Sequence, residues 1–261
     1  MTMLSLFSGI GAFELSALKF GIKTLYQSEI ELSAVSILKR HFSDVIQLGD
    51  VTKLSGLEIA FCDIITFGSP CQDLSVAGKR TGLVGERSNL FYEAIRIAKE
   101  MLEASNGRYP RFLIYENVAG MLNSNKGLDF CAVMDAIYEL GFVVDIDLLD
   151  SQDFGVPQRR KRVFIVAENK IYRKTEYKID VRRNRQVQQA LDLWMSRGYR
   201  DTIAGYVSIP HTPIKSKLSD ILEQDVDAKY NLSPKACTGI IRRAERRGKK
   251  LPVLLELALR I

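Results

Sequence analysis

The chain has 261 residues, a formal net charge of +6 and 46% hydrophobic residues, which is enough for a sizeable buried core. It has no apolar run near the ~18 residues that cross a bilayer, and it begins with a strand pattern instead of a cleavable leader, so we expect a soluble, cytoplasmic protein. Cysteine is sparse and scattered, which disfavours a disulfide framework and a zinc site. We expect reduced thiols and no bound metal at Cys62, Cys71, Cys131 and Cys237.

Charge is unevenly distributed along the chain. Residues 1–154 contain 13 Lys and Arg against 20 Asp and Glu, whereas residues 155–261 contain 24 against 11. A basic excess on the scale of a domain favours a nucleic-acid partner over a merely solvated surface. We therefore expect the second part of the chain to contact a polyanion.

The first two-thirds of the chain alternates β-rich runs with helical patterns, which is typical of a doubly wound α/β sheet. The predicted strands are Met3–Phe7, Lys23–Ser28, Asp63–Phe67, Phe112–Tyr115, Phe142–Leu149 and Val163–Ala167. The predicted helices are Ala12–Phe20, Leu32–His41, Ser88–Ala104 and Leu128–Leu140. From Glu168 to about Pro213 the sequence is polar and lacks a sustained period, so we expect an extended segment or an insertion there. Ser233 and Pro234 then predict the start of a last helix.

A glycine-containing turn, Phe7-Ser8-Gly9-Ile10-Gly11, separates the first strand from the first helix and indicates a close approach of the backbone to a ligand. Glu14 stands where a dinucleotide fingerprint has its third glycine, which argues against a bound pyrophosphate. Glu29 and Asp50 end the next two apolar runs, and Glu29 is placed to hold the hydroxyls of a ribose. Together these features predict a nucleoside cofactor without a pyrophosphate, and S-adenosylmethionine is the commonest of that kind.

Cys71 lies in Gly68-Ser69-Pro70-Cys71-Gln72, directly after a predicted buried strand. The carboxyl ends of strands in open α/β sheets face ligands, so a thiol there favours a nucleophile. The alternative is a cysteine that fills a gap in the core. The chain has two histidines, His41 and His211, and neither has a predicted place beside Cys71, which disfavours a Cys-His hydrolase.

Two further motifs point to the same crevice. Glu116 follows the apolar run Phe112–Tyr115, at the carboxyl edge of its strand. The basic run Gln158-Arg159-Arg160-Lys161-Arg162 leads directly into the last strand. Because alternate residues of a strand share a face, Gln158, Arg160 and Arg162 are expected to project together, although a solvated surface is the alternative for such a run.

The order of these motifs resembles the cytosine-C5 DNA methyltransferases of bacteria and their phages. The matching motifs are Phe-Ser-Gly-Ile-Gly, Gly-Ser-Pro-Cys-Gln, Glu-Asn-Val and Gln-Arg-Arg-Lys-Arg, within residues 3 to 167. The resemblance implies a Rossmann-like fold that binds S-adenosyl-L-methionine and acts on double-stranded DNA, in restriction-modification or phage self-protection. By the same resemblance the cofactor site would comprise Phe7, Gly9, Gly11, Glu29, Ile30, Asp50, Pro70 and Leu90.

The resemblance also implies a mechanism. Cys71 would attack C6 of a cytosine flipped out of the duplex, while Glu116 protonates or hydrogen-bonds N3 and C5 takes the methyl group. Arg160 would contact the base oxygen and the flanking phosphate, with Arg162 close by. The residues implied to lie beside the base are Ser69, Gln72, Asn117, Val118 and Gln158.

Beyond residue 167 the resemblance is looser. We therefore predict a cofactor-binding and catalytic domain over residues 1–167 and, over residues 168–261, a basic extension that leads into a partial target-recognition region. The helix and Asn-x-Val segment that close the family's cofactor pocket are not found before Ile261, which leaves room for a second polypeptide that supplies them. Two alternatives stay open: a truncated or split-subunit remnant that binds nucleic acid with little activity, and a tRNA cytosine-C5 methyltransferase.

Overall fold

The fold is that of a computed structural model, which describes residues 1–69, 90–154, 158–172, 184–198, 227–251 and 253–260. Contacts along the chain divide it into two compact units, Met1–Lys215 and Ser216–Ile261. The functional division proposed at residues 167 and 168 stays a prediction. No helix within the described ranges is long and apolar enough to cross a membrane.

The first unit is built on a mixed sheet of seven strands in the order β3-β2-β1-β4-β5-β7-β6. The pairs β3-β2, β2-β1, β1-β4 and β4-β5 are parallel, whereas β7 runs antiparallel to both of its neighbours. The predicted α/β class is confirmed. The strands are β1 Thr2–Leu6, β2 Lys23–Ser28, β3 Ile46–Gln47, β4 Ile64–Phe67, β5 Phe112–Val118, β6 Phe142–Asp150 and β7 Lys161–Asn169.

Helices cover both faces of this sheet in the first unit. The main core joins the sheet to α3 and α4, where Phe91, Ile97 and Phe130 are fully buried. A smaller apolar cluster on the other face joins Ala17 of α1 to Met3 and Ile64. The helices of this unit are α1 Ala12–Lys19, α2 Leu32–His41, α3 Leu90–Ala104, α4 Leu128–Glu139 and α5 Arg185–Met195.

Helix α5 corrects the expectation of an irregular segment between Glu168 and Pro213. Its buried residues, Val187, Ala190, Leu191 and Trp194, are three, four and seven residues apart, as expected for one face of a helix. The sequence pattern did not reveal them because the surrounding stretch is polar on average. The Asn184 side chain caps the helix by accepting a hydrogen bond from the Gln186 amide at 3.0 Å. Trp194 Nε1 donates to Asp135 Oδ1 of α4 at 2.8 Å.

The antiparallel direction of β7 positions the site. Parallel strands β1, β2, β4 and β5 all end at one edge of the sheet, and a parallel β7 would end there as well. Because β7 is antiparallel, it starts at this edge, and Arg162 pairs with Val118 at the end of β5. The basic run that precedes β7 therefore lies beside Glu116.

The second unit contains two helices, α6 Pro234–Arg246 and α7 Val253–Leu259. The predicted start of α6 is confirmed, since Ser233 Oγ accepts a hydrogen bond from the Ala236 amide at 3.3 Å and Pro234 is the first helical residue. The apolar stripe of α6 is half-buried, while its arginines are exposed. The stripe comprises Ala236, Cys237, Ile240, Ile241 and Ala244.

Candidate active site

A first cavity, of about 270 Å³, opens at the carboxyl ends of β1, β2 and β4. We call it the glycine-loop cavity, after the Phe7–Gly11 loop at its edge. Five of the eight residues that the resemblance places at the cofactor are among those that line it. The lining residues are Phe7, Ser28, Glu29, Ile30, Gly49, Asp50, Val51, Gly68 and Leu90.

The loop Phe7–Gly11 has an unusual backbone. Phe7 has a φ of 55°, which is uncommon for a residue with a side chain and recurs at ligand sites. Gly11 does not line the cavity, because it faces α2: a Cβ atom there would lie 2.4 Å from the Phe42 ring. Gly9 is also outside the lining but donates its amide to Glu29.

Glu29 joins the loop to the end of β2. Its Oε2 accepts a hydrogen bond from the Gly9 amide at 2.8 Å. Its Oε1 accepts from the amides of Ile30 and Glu31 at 2.8 and 2.9 Å. A carboxylate offers about four acceptor positions, so the position left on Oε2 can take a ligand hydroxyl. Glu29 thus shapes the cavity and lines it.

Asp50 provides a second carboxylate in this cavity. Its Oδ1 accepts hydrogen bonds from the Thr52 hydroxyl at 2.8 Å and from the Thr52 amide at 3.0 Å. These bonds lower the pKa of the Asp50 carboxyl, so it stays charged at neutral pH. Ile30 lines the same cavity with 70% of its surface exposed, which leaves an apolar face for a flat ring.

A second cavity, of about 320 Å³, lies where β5, β7 and β6 meet the site edge. We call it the arginine cavity. It brings together Glu116, Arg160 and Arg162, all three of which the sequence placed near one another. Its lining residues are Glu116, Leu149, Ser151, Phe154, Arg160, Arg162 and Phe164.

An ion pair spans the wall of this cavity. Arg162 Nε lies 2.8 Å from Glu116 Oε1, and both side chains are about three-quarters buried. In contrast, no carboxylate of the described residues pairs with the Arg160 guanidinium. Its backbone is held instead, since the Arg160 amide donates to Asp150 Oδ1 at 3.1 Å and the Arg160 carbonyl accepts from the Ser151 amide at 3.0 Å. The free guanidinium can therefore take an anionic or carbonyl ligand.

The two cavities adjoin at Gly68. This residue lines the glycine-loop cavity, and a Cβ atom added to it would lie 3.1 Å from Glu116 Oε2 of the arginine cavity. The chain continues from Gly68 into the predicted nucleophile motif. Pro70, Cys71 and Gln72 lie outside the described residues.

Several residues predicted beside the base do not line either cavity. Asn117 points to the face of β5 opposite Glu116, because side chains alternate along a strand, and its amide donates to the Tyr115 hydroxyl. Ser69 Oγ also contacts that hydroxyl, at 3.2 Å. Val118 follows at the end of β5, and Gln158 is exposed, with its carbonyl accepting a hydrogen bond from Ser151. Their roles stay predictions.

Sequence reasoning missed part of the arginine cavity. Phe164 stands two residues after Arg162, so the same alternation that grouped Arg160 with Arg162 extends to it. Leu149, Ser151 and Phe154 had no such signal, because their contribution depends on β6 lying beside β7. Within the described ranges, no cluster of three or more His, Cys, Asp or Glu side chains is arranged to hold a metal ion.

Residues 1–254 match the family described as C-5 cytosine-specific DNA methylase. The chain belongs to this family. It is 31% identical over 247 residues to the orphan methyltransferase M.SPRI of Bacillus phage SPR. The matched region covers 93% of this chain and 54% of that protein. It is also 31% identical over 245 residues to the type II methyltransferase M1.ScrFI of Lactococcus lactis subsp. cremoris, with coverage of 92% and 53%.

The fold of this methylase chain is shared with a solved structure. The crystal structure of a Spodoptera frugiperda DNMT2 mutant superposes with a TM-score of 0.60 and 23% identity, covering 92% of this chain and 65% of that one. The chain spans about half the length of the two methyltransferases that it matches. A second polypeptide finds no support in these similarities.

Proposed function

We propose that this methylase chain transfers the methyl group of S-adenosyl-L-methionine to C5 of cytosine in double-stranded DNA, with Cys71 as the covalent nucleophile. One observation carries the proposal. The two cavities meet at Gly68 and Glu116, and Cys71 follows Gly68 by three residues in the sequence. A cofactor in one cavity and a base in the other would thus lie on either side of Gly68, close in sequence to the proposed nucleophile.

The glycine-loop cavity fits the cofactor by the chemistry of its donor set. Glu29 has an acceptor position left for a ribose hydroxyl, and Asp50 Oδ2 is open to an amino group, with Lys53 Nζ 3.9 Å away. The apolar side chains of Ile30 and Leu90 suit an adenine ring. When bound there, S-adenosyl-L-methionine supplies an electrophilic methyl group on a sulfonium.

The arginine cavity fits a cytosine ring. Glu116 protonates or hydrogen-bonds N3, and the ion pair with Arg162 holds its carboxyl group at the cavity wall. Arg160 has a guanidinium free for the base oxygen or a phosphate. Phe154, Leu149 and Phe164 provide apolar surface against the ring, which replaces the stacking that the base gives up on flipping.

The proposed reaction has three steps: addition, methyl transfer and elimination. The Cys71 thiolate adds to C6, the ring electrons move toward N3 and C5, and the protonated N3 neutralises the charge. C5 thereby becomes nucleophilic enough to take the methyl group, and the S–CH3 bond of the cofactor would break to leave a neutral thioether. Loss of the C5 proton to a base then restores the double bond and expels the thiolate, N3 returns its proton to Glu116, and the enzyme is regenerated.

Helix α6 supports a polyanionic substrate. Its C-terminal half and the residues that follow it expose six cations near a single carboxylate, Glu245, and no ion pair joins these cations to a described acid. Exposed cations without a described acid partner, on one helix and directly after it, are suited to successive phosphates. The six are Arg242, Arg243, Arg246, Arg247, Lys249 and Lys250.

Methyl transfer from labelled cofactor tests the proposal. We expect label in duplex DNA with the wild type and with Cys237→Ala, and none with Cys71→Ala. Cys237 is a suitable control because it is a half-buried thiol on α6, in the other unit. Label confined to tRNA in parallel reactions would identify the RNA-directed alternative. Absence of label in every nucleic acid would contradict the proposal and favour an inactive nucleic-acid-binding remnant.

A further inference from the structure

A row of polar side chains is buried between the sheet and α1, behind the glycine loop. Ser5 of β1 pairs in register with Gln27 of β2 on one side and with Thr66 of β4 on the other. Residues in register on neighbouring strands share a face of the sheet. All three side chains have 1% exposure or less.

Glu14 of α1 lies over this row. Glu14 and Ala17 are three residues apart and so share a face of the helix. Ala17 packs on Met3 and Ile64, which stand two residues before Ser5 and Thr66 on the same sheet face. Glu14 is fully buried, and the Ser5 and Ser8 hydroxyls lie close enough to influence the pKa of its carboxyl group without completing a hydrogen bond to it.

These buried groups lack the partners that they need. Both carboxyl oxygens of Glu14, both polar atoms of the Gln27 amide and the hydroxyl of Thr66 complete no hydrogen bond with a described residue. Buried polar groups are nearly always hydrogen-bonded, to protein or to ordered water. Because each of these polar atoms needs a partner, the row is suited to a hydrogen-bonded network that Glu14 can join.

An ionised carboxylate does not suit this environment. Burial raises the pKa of the Glu14 carboxyl, the Ser5 and Ser8 hydroxyls oppose that effect, and Glu29 reinforces it. Glu29 is itself an acid, and no Lys, Arg or His of the described residues acts on Glu14 from α1, β1, β2 or β4. A buried carboxylate without a cation is costly, whereas a protonated one donates and accepts hydrogen bonds.

We propose that Glu14 is a positioning residue for the glycine loop and acts as an uncharged carboxylic acid. Ser8 connects the buried polar row to the glycine loop. Its hydroxyl donates to the Ser5 carbonyl at 3.2 Å, and its amide donates to the Ser28 carbonyl at 3.0 Å. Ser8 stands between Phe7, which lines the cavity, and Gly9, which bonds to Glu29. Glu14 therefore supports the backbone that shapes the proposed cofactor site, without touching the ligand.

Binding of S-adenosyl-L-methionine to the full chain, measured by calorimetry from about pH 5 to about pH 9, tests this inference. The variants are Glu14→Gln, which imitates the protonated acid, and Glu14→Leu, which removes the network. Glu103→Gln on α3 is the matched control, an exposed helical glutamate remote from the row. The inference rests on the proposed cofactor site.

We expect Glu14→Gln to bind within about twofold of the wild type at low pH and to show no loss as pH rises. The wild type and Glu103→Gln should lose affinity by about tenfold at high pH, because Glu14 then ionises beside Glu29. Glu14→Leu should bind about tenfold more weakly throughout. Identical pH profiles for the wild type and Glu14→Gln would overturn the inference, as would full affinity in Glu14→Leu.

Thermal unfolding without cofactor separates this inference from the proposed function. When folding raises the pKa of a carboxyl group, the folded protein loses stability as pH rises through that raised pKa. The melting temperature of the wild type should therefore fall relative to Glu14→Gln as pH increases. If the melting temperatures of the wild type and Glu14→Gln differ by the same amount at every pH, Glu14 is not a neutral acid, even if neither protein binds cofactor. This comparison does not depend on whether Glu14→Leu folds.

Discussion

Arg162 Nε lies 2.8 Å from Glu116 Oε1, across two strands that run in opposite directions. The planar guanidinium fixes the carboxyl group at the wall of the arginine cavity, where the proposed base would lie. In the proposed mechanism the two arginines have different roles: Arg162 orients the Glu116 carboxyl group, and Arg160, which has no acid partner among the described residues, is available to the substrate.

Substitution of this pair should reduce turnover more than cofactor binding. Arg162→Lys keeps the charge but loses the planar donor, and we expect kcat to fall by about 100-fold. Glu116→Gln should lose at least as much, because an amide cannot protonate N3. Arg159→Lys is the matched control, since Arg159 is exposed and lies 3.9 Å from Asp150 Oδ2. Single-turnover methylation and cofactor affinity are the measurements, and unchanged kcat in Arg162→Lys refutes the orienting role.

The covalent step predicts a trapped complex. Duplex DNA that carries 5-fluorocytosine has no proton to lose at C5, so the Cys71 adduct cannot resolve after methylation. We expect a product stable to denaturation, seen as a shifted band on a denaturing gel, with the wild type and Cys237→Ala but not with Cys71→Ala. A preparation that methylates normal DNA yet traps nothing would exclude the thiol as nucleophile.

Because Gly68 lies so close to Glu116, we expect the reaction to be sensitive to a side chain at position 68. A methyl group on Gly68 would sit 3.1 Å from Glu116 Oε2, and the ion pair with Arg162 limits how far the carboxyl group can retreat. We expect Gly68→Ala to lower kcat by about tenfold while the chain stays folded. Gly120→Ala is the control, because the nearest atom to its added methyl is 3.9 Å away. Equal kinetics for both variants would show that this approach has no effect on the reaction.

The cations of α6 predict a salt-dependent affinity. Replacing Arg242, Arg243 and Arg246 together by Gln should weaken DNA binding. The plot of log affinity against log salt concentration should also become less steep, by up to about 0.9 for each phosphate contact that is lost. An equal charge change on exposed residues of α1 and α2, in Lys19, Lys39 and Arg40, is the control. Filter binding at several salt concentrations measures both, and identical slopes would remove α6 from the DNA surface.

Local patterns in the sequence were sufficient for much of the fold and for one half of the site. Each strand predicted at the site edge exists, because hydrophobic runs and glycines are local signals. Glu29 directly follows β2, Asp50 comes three residues after β3, and Glu116 lies within β5, two residues before its end. The cap at Ser233 was equally local. In contrast, α5 was missed because its four buried residues are diluted by polar neighbours, and only their burial against the core identifies them.

The remaining features of the fold and of the site were decided by tertiary structure, because they depend on which distant segments of the chain pair. The sequence by itself determined the order of motifs and hence the family, along with the carboxylates at the strand ends. It did not determine that β7 is antiparallel, which brings Arg162 to Glu116, nor that Asn117 faces Tyr115 instead of the cavity. Glu14 shows the same limit: the sequence presents it as a missing glycine, and only the register of β1, β2 and β4 reveals the buried polar row beneath it.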